Sequence, residues 1–195
     1  MVFVVVAHYN KDTSWTKNLK YPSRVITKSG IPYETPPNRG NEASSYLQYI
    51  IEEYDNLDDI TIFVHDHRSD WHHKENIDEA INRMIFDKPY YNFNTNDMGN
   101  ALTELTRFPQ EMNRMYLHTP FFEKLLGLKI DPTQIVYRNS AQFYVTKDTI
   151  RQYPKEIYLH MYIWLMSTPE ISWMTSRVFE YLWHVIFTRN MVDVK

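Results

Sequence analysis

Two short stretches of this sequence are apolar without interruption. Residues 2–6 (VFVVV) and 60–64 (ITIFV) lack polar alternation, the pattern of strands covered on both faces, and each ends directly in polar residues. Strands of this kind belong to sheets enclosed between helix layers. The segments between them fit βαβ spacing. Thr13 and Ser14 can cap a short helix from Trp15 to Leu19, and residues 24–28 supply a second strand. A loop over residues 30–40 with three prolines follows. From Glu42 the apolar positions Ala43, Tyr46, Leu47, Ile50, Ile51 and Tyr54 recur at the spacing of an amphipathic helix with a wide buried stripe. The fold class expected is α/β, with a mostly parallel sheet flanked by helices.

At 195 residues the chain has the length of one domain, so residues 1–195 are read as a single unit. Further helices are expected over residues 76–86, 110–117, 120–126 and 176–187. A strand over 141–145 should lead into a helix that Pro154 breaks and that resumes through Met166. The apolar start is too short for a signal segment or membrane span. The aromatic stretch 157–166 is interrupted by His160 and flanked by charge, so it reads as a core helix. No membrane span and a cytoplasmic location are expected, in the host cytoplasm if the source is viral.

The 24 acidic and 21 basic residues are interspersed, and no Lys/Arg block makes the stripe that nucleic acid requires. Nucleic acid is therefore not expected as a partner. Cysteine is absent, which excludes a disulfide framework, a thiolate metal site and a cysteine nucleophile. Any metal must be held by oxygen or imidazole. Aromatic residues reach 15%, with rings that suit sugar or base stacking and equally suit an ordinary core.

The polar ends of the two strands hold most of the residues that can carry chemistry. His65-Asp66-His67-Arg68-Ser69-Asp70-Trp71-His72-His73 places four histidines and two aspartates in nine positions. Aspartate offers a hard oxygen for Mg or Mn and imidazole tolerates Mn and Zn; the alternative is a polar loop in which Asp66 and Asp70 cap turns. Open α/β sheets collect ligands outside the carboxyl ends of their strands, which favours this loop and the one after the first strand. In that first loop Tyr9, Asn10, Asp12 and Trp15 combine rings with carboxamide and carboxylate groups; the alternative is a plain βα turn. Asn38-Arg39-Gly40-Asn41-Glu42 enters the amphipathic helix, where Arg39 offers a planar fork for phosphate beside the positive end of the helix, and Asn41 can act simply as a cap. Glu180 and His184 stand four residues apart and can hold a metal, relay a proton or form a minor surface pair.

Taken together, the stretches VVVAHYNKDTSW, NRGNEASSYLQYIIEEYDNLDDITIFVHDHRSDWH, SAQFYVTKDTIRQYPKEIYLHMYIWL and FEYLWHVIF resemble a family of uncharacterised fungal and viral domains. They are also similar to the small glycosyltransferase domains encoded by chlorella viruses. The resemblance runs in order from Val4 to Phe187, and the block from Asn38 to His72 is its most specific part. It implies a glycosyltransferase A-type fold, with a nucleotide-sugar donor, a glycan or glycoprotein acceptor and Mn2+ (or Mg2+) as cofactor. Tyr9, Asn10 and Asp12 match the nucleotide-binding stretch, with Trp15, Arg39 and Glu42 as further expected cofactor contacts. His65-Asp66-His67 stands where such enzymes carry Asp-x-Asp, so Asp66 and His67 are the expected metal ligands, and Mn suits the imidazole better than Mg. Asp66, Glu180 and Asp70 are the expected catalytic residues, with Asp97 a further candidate base. Two other readings stay open at this point: a metal-dependent phosphoesterase, which needs further ligands at other strand ends, and a noncatalytic nucleotide or sugar-binding module.

Overall fold

A computed structural model describes residues 1–28, 38–70, 75–94, 98–100, 109–138 and 141–193. The described elements are β1 (Val2–His8), a 3-10 helix (Ser14–Asn18), β2 (Ser23–Thr27), α1 (Glu42–Glu53), β3 (Ile60–His65), α2 (Ile77–Arg83) and β4 (Tyr90–Asn92). They continue through β5 (Met98–Asn100), α3 (Pro109–Leu126), a second 3-10 helix (Pro132–Gln134), β6 (Val136–Arg138) and β7 (Phe143–Thr146). Helices α4 (Lys147–Ile150), α5 (Lys155–Ser167) and α6 (Ser172–Thr188) end the order.

Five strands form one sheet in the order β2-β1-β3-β7-β4, and β5 pairs with β6 in a small second sheet. β1 is parallel to both β2 and β3, with Ala7 opposite Ile26 on one side and His65 on the other. β7 runs antiparallel to β3 and to β4. The sheet is therefore mixed where a mostly parallel one was expected. An apolar run reports that both faces are covered, and it carries no information on strand direction.

Each face of the sheet has its own core. Val5, Ala7, Phe63, Phe143 and Val145 point to the side covered by α1 and α6, where they meet Tyr46, Leu47, Ile50, Phe179 and Trp183. Val4, Val6, Ile62, Val64 and Tyr144 point to the other side, against Trp15 of the first 3-10 helix and Ile77 and Ile81 of α2. The period-2 geometry of a strand makes this division necessary. The Phe143 ring lies within 6 Å, centroid to centroid, of Tyr46, Phe63, Tyr90, Trp183 and Phe187. Much of the aromatic content is thus core packing.

The two expected helical pieces at residues 110–117 and 120–126 are one helix with Pro120 inside it. A proline there removes one backbone donor, and the helix continues past it. Pro154 stands at the N-cap of α5, which the fixed φ of proline suits. Among the described residues no helix is long and apolar enough to cross a membrane.

The topology fixes where a ligand can enter. From β1 the chain crosses one face by the 3-10 helix to reach β2, then crosses the other face by α1 to reach β3 on the far side of β1. The connections after β1 and β3 leave over the same face but toward opposite edges of the sheet, the first to β2 and the second to β4, which opens a crevice outside the carboxyl ends of these neighbours.

Candidate functional site at the ends of β1 and β3

Asp66 is the first residue past β3, and its carboxylate organises the crevice. Oδ2 accepts three consecutive backbone N–H groups, from Tyr9 at 2.9 Å, Asn10 at 3.1 Å and Lys11 at 3.0 Å. The carbonyl of Asp66 accepts the Trp15 indole N–H at 3.0 Å. One residue thus fastens the whole first loop to the end of β3. The residue is nearly buried, at 4% exposure, which by itself would push its pKa up; the three backbone donors and neighbouring His67 outweigh burial and hold the carboxyl below its ordinary range. Behind it, the Gln142 carboxamide oxygen accepts the His65 N–H at 3.3 Å and its nitrogen donates to Asn94 Oδ1 at 3.0 Å, which braces the end of β3 from β7 and β4.

Two clefts flank this fastening. The one on the α1 side has a volume of about 320 Å³ and is lined by His8, Lys28, Asn41, Glu42, His65 and Asp66. The other, of about 490 Å³, lies on the side of the 3-10 helix, between Asp12, Asn18, His67 and Arg68. Its floor is held by Asp78, whose carboxylate accepts Arg68 Nη2 at 3.1 Å and Asn18 Nδ2 at 2.9 Å. In the α1-side cleft, burial and the nearby His67 depress the His65 imidazole to about 3, so it is neutral there. Burial likewise lifts the Glu42 carboxyl above its usual range, against the pull of Lys28. The Lys28 ammonium is lowered by burial to about 8, with Glu42 and Asp66 opposing the shift.

The expected site residues divide into those that converge and those engaged elsewhere. Tyr9 and Asn10 border the crevice; the Tyr9 ring is 57% exposed while its backbone is held by Asp66. Asp12 accepts from the Ser14 N–H at 2.9 Å and the Ser14 hydroxyl at 2.6 Å, which opens the 3-10 helix and lowers the Asp12 pKa. Trp15 is 3% exposed, with its ring packed in the second core. Glu42 lines the α1-side cleft. Arg39 does not offer its fork to a ligand: Nε donates to the Leu165 carbonyl at 2.6 Å, and Nη2 donates to the carbonyls of Thr168 and Glu170, so the guanidinium caps the C-terminal end of α5. Glu180 pairs with Arg177 at 2.9 Å and lines neither cleft. His184 is 1% exposed and bonds the Met191 carbonyl at 3.0 Å, so these two residues find separate partners. Asp97, Trp71, His72 and His73 lie outside the described residues.

Lys28 was not legible as a site residue. Its signal is register: Ile26 faces the α1-side core, and Lys28, just past the end of β2 with its N–H still bonded to the His8 carbonyl at 2.9 Å, keeps the same direction.

Asp66 and His67 form the best pair for a divalent ion. Asp66 Oδ1, turned away from the loop, stands 3.8 Å from His67 Nε2, and His67 Nδ1 is 3.7 Å from Asp70 Oδ2. At 3.7 Å that carboxylate stands beyond hydrogen-bond reach of the imidazole and can orient it only through charge. Among the described residues no group of three His, Asp or Glu side chains is placed to hold an ion alone. Two donors do fit an ion that completes its shell with diphosphate oxygens and water, the usual arrangement for Mg in phosphate-handling sites. The further histidines that a phosphoesterase would recruit, His118, His160 and His184, line neither cleft.

The family model described as "Protein of unknown function (DUF3431)" matches residues 3–195. The chain belongs to this DUF3431 family. The match spans both strands that carry the site and the helices that cover them. No curated protein and no solved structure matches the chain significantly.

Proposed function

We propose that this DUF3431 member is a glycosyltransferase of the A-type fold. In this reading it takes a nucleotide-diphospho-sugar, UDP-linked by preference, and transfers the sugar to a hydroxyl of a glycan or glycoprotein with Mn2+ (or Mg2+). The observation that carries the reading is the fastening of the first loop to the end of β3 by Asp66. The two segments whose resemblance points to nucleotide and metal are thereby one rigid unit at the crevice where open α/β sheets bind ligands.

The chain's own residues have definite tasks in this reading. The exposed Tyr9 ring offers a face for the base or sugar, and its backbone cannot drift because Asp66 holds it. Asp66 Oδ1 and His67 Nε2 face the diphosphate, and an ion bound there would supply Lewis-acid stabilisation of the departing charge. An acceptor hydroxyl entering beside His67 meets Asp70, whose carboxylate can take its proton. Of the three expected catalytic carboxylates, Asp66 is a holder and Glu180 is tied to Arg177, which leaves Asp70, outside both cleft linings but 3.7 Å from His67, as the candidate base.

The experiment is release of nucleoside diphosphate from a panel of nucleotide-sugars with Mn2+ and simple glycan acceptors. Transfer should fall on the order of 10²-fold or more in Asp70→Asn, with the unfolding midpoint little changed. Turnover equal to wild type in a folded Asp70→Asn protein would remove that residue from the chemistry. Absence of turnover with every donor would leave a binding module.

A further inference from the structure

Lys28 is a cation in an unusual position. It follows β2, faces the same side as Ile26, and ends in the α1-side cleft with only 4% of its surface exposed. Among the described residues its ammonium has no hydrogen-bond or ion-pair partner; Glu42 and Asp66 act on it only at longer range. A buried ammonium without a partner costs free energy that the fold must offset. The N-terminus of α1 opens into the same cleft, and this 12-residue helix has no side-chain cap. Asn41 occupies the cap position, but its Nδ2 donates instead to Ser176 Oγ at 3.0 Å. The Ala43 N–H is taken by the Gly40 carbonyl at 3.0 Å, so what this helix start presents to the cleft is its positive dipole end.

We propose that Lys28 and the positive N-terminal end of α1 form an anion site that takes a phosphate group of a diphosphate ligand. Two positive elements approach one cleft from different strands and helices, the arrangement by which a helix start and a lysine cradle phosphate oxygens. Arg39, which the sequence offered for this task, caps α5 instead, and Lys28 stands in its place. Two acidic groups border the site. The charge of Asp66 is answered by three backbone donors. The Glu42 carboxylate stands 3.9 Å from His65 Nε2, and burial lifts its carboxyl above the usual range, which eases the approach of an anion. The nucleoside part of the ligand rests on the proposed function; the anion site does not.

The test is calorimetric titration of inorganic pyrophosphate and of UDP, with a chelator present so that Asp66 and His67 hold no ion. Wild type should bind both. Lys28→Met should weaken both by about 10- to 100-fold, the loss of one charged hydrogen bond, and Lys28→Arg should recover most of it. The Met variant should melt no lower than wild type, since it removes an unpaired buried charge. Unchanged affinity in Lys28→Met, or no pyrophosphate binding by wild type, overturns the proposal. Lysine-dependent pyrophosphate binding without binding of any nucleotide keeps the anion site and removes the nucleotide-sugar reading. UDP binding that ignores Lys28 does the reverse. A second measurement uses wild type alone: pyridoxal phosphate forms an imine with a lysine amine, releasing water, and borohydride reduces it to a stable amine. Label at Lys28 that pyrophosphate suppresses supports the site, and label that pyrophosphate leaves undiminished contradicts it.

Discussion

At the scale of single residues, Asp66 joins structure to function, because one oxygen holds a loop while the other faces His67. Removing the carboxylate leaves three backbone donors of Tyr9, Asn10 and Lys11 without their acceptor. Asp66→Ala should therefore lower unfolding free energy by about 2–4 kcal/mol, read from urea midpoints at pH 7. A loss below about 0.5 kcal/mol would mean that the loop holds itself. Two histidines supply a second prediction. His65 and His184 are held by burial at about 3 and about 4, below the ordinary value of 6.5. The folded protein binds fewer protons than the unfolded chain between those values, so stability rises with pH across the window. It should be complete above about 6.5 and fall as pH drops toward 4. Replacing His184 by Gln should flatten that slope in unfolding titrations, and an unaltered slope would show that His184 titrates normally in the native state.

At the scale of elements, the entry to α1 is clamped rather than catalytic. Gly40 adopts a φ of +67°, and a Cβ there would strike the Leu165 side chain of α5. Arg39, one residue earlier, bonds three carbonyls at the end of the same helix. Arg39→Ala should cost about 2–3 kcal/mol in stability and leave pyrophosphate affinity within twofold, measured by urea unfolding beside calorimetry. Loss of pyrophosphate affinity at unchanged stability would return Arg39 to the ligand. The amphipathic α1 and the strands β1 and β3 were legible in the sequence, since a 3.6-residue stripe and unbroken apolar runs state which faces are buried. The antiparallel course of β7 was not, because partner and direction are set by the path of the chain. The burial of His184 is not legible in helix spacing, because the Met191 carbonyl that it bonds belongs to a later segment. Lys28 was overlooked because charge suggested a surface, whereas strand register placed it inward.

At the scale of the whole molecule, a mixed sheet is enclosed by two cores, and the crevice between β1 and β3 follows from connections that diverge toward opposite edges of the sheet. Residue types at the strand ends point to this location from the sequence alone. The fastening by Asp66 depends on contacts between segments more than fifty residues apart, and the inward course of Lys28 on the register of β2 against β1. The most direct test of the central claim, that the crevice binds a nucleotide-diphospho-sugar, is a thermal-shift titration of UDP- and GDP-sugars with Mn2+ and with a chelator. Ligand at about 100 times its Kd adds about 2.7 kcal/mol to the native state. In a domain of this size that moves the midpoint by about 5–10 °C. The account predicts such a shift for at least one nucleotide-sugar, larger with Mn2+ and reduced in Asp66→Asn. No shift with any nucleotide-sugar at millimolar concentration, with or without Mn2+, would contradict it.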